Sequence, residues 1–156
     1  MSVDQPAARP RRRSGESGRM LQRVFMRIHS GLYRLTGGVI GGRAGSRSFL
    51  LLTTTGRKSG QQRVTPIFYL PDGDNFVLIA SNWGAPTHSI WWLNLQAHPQ
   101  AWVQVGRKIL PVIARQADPA ERARLWSLVT AKYANFAAYQ QRTTREIPVV
   151  ILTPAS

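Results

Sequence analysis

From Ser48 onward the apolar residues fall into short runs separated by turns rich in Gly, Pro and Asp. The runs are SFLLLTTT (48–55), QRVTPIFYL (62–70), NFVLIAS (75–81), AWVQV (101–105), ILPVIARQA (109–117) and IPVVILTP (147–154). β-Branched and aromatic side chains dominate them, as suits a pleated, half-buried strand. Asp72-Gly73 between two of the runs is a hairpin signal. Elsewhere the spacing turns helical. HSIWWLNLQA (88–97) predicts a short helix closed by Pro99. Asp118, Pro119 and Glu121 supply a cap, a first-turn proline and a capping-box acid for a helix reaching Tyr133, and the short aromatic segment YANFAAYQ follows. Six short strands with three inserted helices predict an α+β, mainly β domain, built as a small barrel rather than a parallel sheet.

Upstream the pattern differs. Met20, Leu21, Val24, Phe25, Ile28, Leu32 and Leu35 recur at helical spacing, with Arg19, Arg23, Arg27 and Arg34 mostly on other sides of the wheel. This predicts an N-terminal amphipathic helix that Gly37 and Gly38 end. The polar residues 1–18 read as a disordered basic tail, and Gly41, Gly42 and Gly45 as a flexible joint. The chain thus divides into a tail (1–18), a helix with its Gly-rich joint (19–47) and a barrel domain (48–156).

Composition narrows the chemistry. With no cysteine among 156 residues, disulfides, thiolate metal sites and cysteine nucleophiles are excluded. His29, His88 and His98 are too scattered for a zinc site, so no metal is expected. The net charge is +14, and residues 1–47 carry ten arginines against Asp4 and Glu16, or +8. Such a leader seeks an anionic surface. A basic amphipathic helix over 19–35 can lie on an anionic membrane or pack on its own domain, and the pattern leaves both open. Arg23 and Arg27 interrupt any signal-peptide core, and no stretch is apolar enough to span a bilayer. A cytoplasmic protein, peripheral on the inner face of the plasma membrane, is the expectation.

The familiar self-sufficient catalytic motifs are missing. TGRKSG lacks the first glycine of a P-loop, no Gly-x-Gly-x-x-Gly follows a strand, and no Ser-His-Asp set or carboxylate pair is visible. Any chemistry is therefore borrowed from a cofactor. Arg57, Lys58 and Arg63, gathered about Gly56 and Gly60, read either as a solvated hairpin tip or as a seat for a phosphate or carboxylate tail. Ser81, Asn82, Trp91, Trp92 and Asn94 suit an aromatic ring system with polar edges. Adjacent helical residues point about 100° apart, so one of Trp91 and Trp92 is expected to pack while the other faces a ligand.

Four blocks, TTTGRKSGQQRVTPIFY, IASNWG, HSIWWLNLQAHP and REIPVVILTP, together resemble the deazaflavin (F420)-dependent nitroreductase family of actinobacteria, over about Phe49 to Pro154. The resemblance implies a split β-barrel, of the FMN-binding split-barrel type, that binds reduced coenzyme F420 and gives hydride to a quinone, a nitro compound or an activated alkene. By the same resemblance Arg57, Lys58 and Arg63 hold the anionic tail of the cofactor. Ile79, Ala80, Ser81 and Asn82 border its ring, and so do Ile90, Trp91, Trp92, Leu93 and Asn94. Ser81 and Tyr133 are implied as catalytic, supplying or relaying a proton. Tyr133, Phe136 and Tyr139 form an aromatic trio, with Phe136 beside the cofactor and Phe68, Tyr133 and Tyr139 on the substrate side. Phe68 and Phe136 stand where tyrosines can occur. Losing those hydroxyls can cost a polar substrate about 1–3 kcal/mol, which favours a lipophilic acceptor such as menaquinone. A homodimer is compatible with a split barrel. Two alternatives remain: a carrier that binds F420 without turnover, and a basic nucleic-acid-binding barrel. The concentration of charge in the leader argues against the latter, so no nucleic acid is expected.

Overall fold

Seven antiparallel strands share one sheet in the computed structural model, which describes residues 43–44 and 47–155. The tail 1–18, the helix 19–35 and most of the Gly-rich joint lie outside the described residues. The strands are β1 (Arg43–Ala44), β2 (Arg47–Thr55), β3 (Gln62–Asp72), β4 (Asn75–Ile79), β5 (Gln100–Val105), β6 (Lys108–Gln116) and β7 (Val149–Pro154). Their order is β1-β2-β3-β4-β7-β6-β5, and β2 also pairs with β5. That extra pairing closes β2 to β7 into a barrel, the predicted architecture: Leu52 lies opposite Thr65 on one side and Val103 on the other. β3 meets β4 only over Leu70 to Asp72, so among the described residues its stretch Gln62 to Tyr69 pairs with β2 alone.

β1 was not foreseen. Arg43 pairs with Ser48 and Ala44 with Arg47, so the predicted joint ends in a short ladder. β5 reaches only Leu51 to Thr53 of β2, which leaves the start of β2 with backbone groups that β1 satisfies.

Alternation along the strands builds two cores. Leu50, Leu52, Leu78, Val103, Val112, Val150 and Leu152 point into the barrel, where Trp92 and Leu95 from α1 (Ile90–Ala97) join them. Their neighbours Val77, Ile79, Val149 and Ile151 point outward and are covered by Leu125, Val129 and Tyr133 of α2 (Pro119–Lys132) and its C-cap. Each buried aliphatic side chain contributes roughly 1.5–3 kcal/mol. β4 and β7 therefore carry apolar residues on both faces.

The predicted start of α2 is present in full. Glu121 N donates to Asp118 Oδ1 at 2.8 Å, and Asp118 N donates to Glu121 Oε1 at 3.1 Å. At the β3–β4 turn Gly73 takes φ 59°, and Asp72 lies opposite Asn75. The last helix, α3 (Asn135–Gln141), packs beside the tight turn Asn82–Gly84.

Candidate functional site

The basic segment folds into a tight, internally bonded loop. Gly56 N donates to Gln61 O at 2.7 Å, and Gly60 N to Gly56 O at 2.8 Å. Gly56 is buried, and a Cβ there would stand 2.8 Å from Ser59 Oγ and 3.1 Å from Gln61 O, so a side chain would need the loop to shift. Arg57 and Lys58 are exposed on the loop. Arg63 sits on β3 opposite Thr54, and its Nε comes within 3.8 Å of where that Cβ would lie. The three cations thus surround one bend. Among the described residues none of them has a carboxylate within 4.0 Å.

Asn94 fixes this loop to α1. Its side chain is 2% exposed; Oδ1 accepts from Arg57 N at 3.1 Å and Nδ2 donates to Thr54 Oγ1 at 3.3 Å. Sequence reasoning put Asn94 against the cofactor, whereas its amide is directed at the loop it holds. Trp92 is buried in the barrel core, and Trp91, half-buried, packs against the same cluster. The expected division between the two tryptophans is therefore incomplete. Leu93 is half-buried, and Ile90, 70% exposed, is the residue of this stretch that turns outward.

At the end of β4 the side chains of Ile79 and Ala80 are buried, one in each core, so they meet a ligand only through backbone. Ser81 and Asn82 are half-buried. The chain then takes three left-handed residues in succession: Asn82 (φ 45°), Trp83 (φ 59°) and Gly84 (φ 78°). Non-glycine residues hold such angles at a cost of order 1–3 kcal/mol each, and only where the surroundings enforce them. Here Ala85 N donates to Asn82 O at 2.9 Å and Asn82 Nδ2 to Thr87 O at 3.0 Å. Gly84 abuts α3 so closely that a Cβ would fall 2.6 Å from Tyr139 O.

Arg145, which sequence reasoning did not single out, clamps the same loop. Its guanidinium donates to Ser81 O at 2.8 Å and Ala85 O at 2.9 Å, and Nη1 lies 3.4 Å from His88 Nδ1. Burial lowers its pKa from the usual guanidinium value. The neighbouring Glu146 pairs instead with Arg122 at 3.2 Å. The only sequence signal was a charged residue just ahead of an apolar strand.

The aromatic residues form a continuous chain of rings. Phe49 meets Phe68 at 6.3 Å between centroids, Phe68 meets Tyr133 at 4.7 Å and Phe136 at 5.6 Å, and Phe136 meets Tyr139 at 5.9 Å. Tyr139 in turn meets Trp83 at 5.9 Å. The predicted members Phe68, Tyr133, Phe136 and Tyr139 are thus gathered, and Trp83 extends the row to the loop after Ser81. Of the two predicted proton sources, Ser81 is half-buried and Tyr133 is 6% exposed within the ring chain.

These features suit a redox cofactor with an anionic tail: a cationic bend with no carboxylate beside it among the described residues, a loop bearing a hydroxyl, and an apolar aromatic wall. A separate cleft of about 320 Å³, lined by Gln116, Pro119, Arg122 and Glu146 among others, shares none of these residues.

Residues 25–154 match the family model described as F420H(2)-dependent quinone reductase. An F420H(2)-dependent quinone reductase of Mycobacterium tuberculosis is 43% identical over 133 residues, covering 83% of this chain and 89% of its own. A solved F420-H2 dependent reductase is similar at 39% identity with a TM-score of 0.61, over 67% of this chain and 92% of that one. A second solved structure, described as a domain-swapped dimer, is similar at 34% identity with a TM-score of 0.64, over 84% of this chain and 98% of its own.

Proposed function

Because this chain belongs to the F420H2-dependent quinone reductase family, we propose that it delivers hydride from reduced F420 to a lipophilic quinone, and less readily to nitro compounds and activated alkenes. Family membership makes it an oxidoreductase that uses reduced F420 as its cofactor. When bound, the deazaflavin supplies the hydride. The protein's contribution is to bind, orient and exclude water.

One observation carries the reading: Arg57, Lys58 and Arg63 ring a bend without a side chain, with no described carboxylate to neutralise them. They would hold the phosphate and acidic tail by charge-assisted hydrogen bonds. The end of β4, Ile79 to Asn82, and the start of α1, Ile90 to Asn94, would bound the ring, with Asn94 acting through Arg57. A quinone that gains hydride needs one proton to become a hydroquinone. The Ser81 and Tyr133 hydroxyls are the proposed donors, resupplied by solvent. Phe68, Phe136 and Tyr139 would present an apolar wall to the acceptor.

Residues 19–35 would carry the barrel to an anionic membrane on its cytoplasmic side, where menaquinone-type acceptors reside. The helical spacing and the +8 leader support this. Among the described residues no helix is long and apolar enough to cross a membrane. A homodimer is the proposed assembly, supported by the likeness to a domain-swapped dimer.

Titrating F420 fluorescence with purified protein tests the reading. Saturable binding, weak competition by flavin mononucleotide and oxidation of reduced F420 by menadione are expected. Tight flavin binding without F420 binding rejects it. Flotation with anionic vesicles, comparing the full chain with one starting at Ser46, tests the membrane role: equal flotation of both rejects it.

A further inference from the structure

We propose that Trp83 determines acceptor specificity, its indole serving as a flat platform that selects planar two-ring quinones over one-ring quinones. This rests on the reading of the site as one for F420 and a quinone. Trp83 is 75% exposed, so its large apolar surface gains little from folding. Its backbone is nonetheless held at φ 59°, between Asn82 at φ 45° and Gly84 at φ 78°, in a region that side chains avoid.

The surroundings enforce this unfavourable display. Arg145 clamps the carbonyls of Ser81 and Ala85 on either side, and Gly84 is wedged against Tyr139. The indole itself meets Tyr139 edge-on, with 76° between the ring planes. Backbone strain maintained to expose an apolar ring points to a binding role rather than a packing one.

Its position suggests which ligand. Trp83 stands two residues past Ser81, at the open end of the ring chain that starts at Phe49. An electron-rich indole stacks best on a flat, electron-poor ring, and the gain grows with overlap. A naphthoquinone overlaps more of it than a benzoquinone does.

The test uses Trp83→Gly and Trp83→Phe in the full chain. Glycine tolerates a positive φ, so Trp83→Gly removes the ring and relieves strain together, and its melting temperature should match or exceed that of the parent. The kcat/KM for menadione should fall on the order of ten-fold, mainly through KM, and that for 1,4-benzoquinone clearly less. Trp83→Phe should restore most of the menadione preference. Without any cofactor, menadione should shift the one indole N–H resonance that Trp83→Gly lacks. Equal losses for both quinones, or an unshifted indole resonance, overturn the proposal. A weakened F420 affinity assigns the ring to the cofactor, and loss of vesicle binding assigns it to lipid; either result also overturns it. If the parent chain ignores F420, the functional reading fails, while the cofactor-free titration still decides whether the indole meets a naphthoquinone.

Discussion

Around the start of α2, Arg115 is paired with Glu121 at 2.6 Å, Arg122 with Glu146 at 3.2 Å and Arg124 with Asp72 at 2.9 Å. Around the β2–β3 loop, Arg57, Lys58 and Arg63 have no carboxylate within 4.0 Å among the described residues. Both regions gather three basic side chains, and both belong to the same small domain. Only five acidic side chains follow residue 47, and three of them are engaged in the first region. The arginines near α2 are components of the architecture. Those at the loop repel one another until something from outside relieves them. Charge alone does not mark a candidate ligand site; cations with no carboxylate beside them among the described residues do.

The sharpest way to break this contrast is to neutralise each region in turn. Arg57→Gln, Lys58→Gln and Arg63→Gln together should weaken F420 binding by at least about 100-fold at low salt, since charge-assisted hydrogen bonds contribute roughly 1.5–3 kcal/mol each. Thermal stability should hold or rise slightly as self-repulsion is relieved. The matching change at Arg115 and Arg124 should leave F420 affinity intact. Its cost in stability should be small, because both pairs lie at the solvent-exposed surface. Fluorescence titration and thermal melting read the two outcomes. Equal losses of affinity would erase the distinction between the regions.

A second change acts on what holds the cations rather than on the cations. Asn94→Leu puts an apolar side chain of similar size in the buried site and removes the partners of Arg57 N and Thr54 Oγ1. Unmet buried groups cost about 1–3 kcal/mol, so unfolding in urea should shift by that amount. F420 should bind more weakly without any loss of charge. A stability loss with unchanged F420 affinity would show that the loop needs no anchoring to bind.

Local signals carried the barrel and the α2 capping box, because apolar runs and caps are read from neighbours in the chain. Leu50 to Leu52 and Phe76 to Ala80 lie in continuous apolar runs between turns, and Asp118 with Glu121 closes a bond three residues away. The basic bend was legible for the same reason: Gly56, Arg57, Lys58 and Arg63 are close in sequence. What was not legible acts at long range. Asn94 reaches a loop 37 residues away, and Arg145 reaches Ser81 across 64 residues. No periodicity encodes such contacts. β1 escaped notice because two residues in a backbone ladder need no distinctive side chains. Residue type alone left open which of Trp91 and Trp92 packs; the place of Trp92 in the barrel core and the hydrogen bonds of Asn94 depend on partners far along the chain.

The smallest expected effect sharpens the architectural side of the comparison. Glu121 accepts from Arg115 at 2.6 and 2.8 Å and from Asp118 N at 3.1 Å, and these bonds pull its pKa from the ordinary 4.5 down to about 2. A carboxyl with a lower pKa in the folded chain than in the unfolded one stabilises the fold above the unfolded value. That contribution is therefore complete above about pH 4.5 and fades as pH falls toward 2. Glu121→Gln should flatten the fall in stability over this window by lowering stability at neutral pH, where the contribution is complete, while changing little near pH 2, as read from urea midpoints across the acid range. Asp72, whose pKa Arg124 also lowers, adds a weaker dependence of the same sign. The loop cations hold no described carboxylate, so Arg57→Gln, Lys58→Gln and Arg63→Gln together should leave the acid limb unchanged. A changed limb in that triple variant would mean that the loop has an acidic partner after all, and the contrast between the two regions would fall with it.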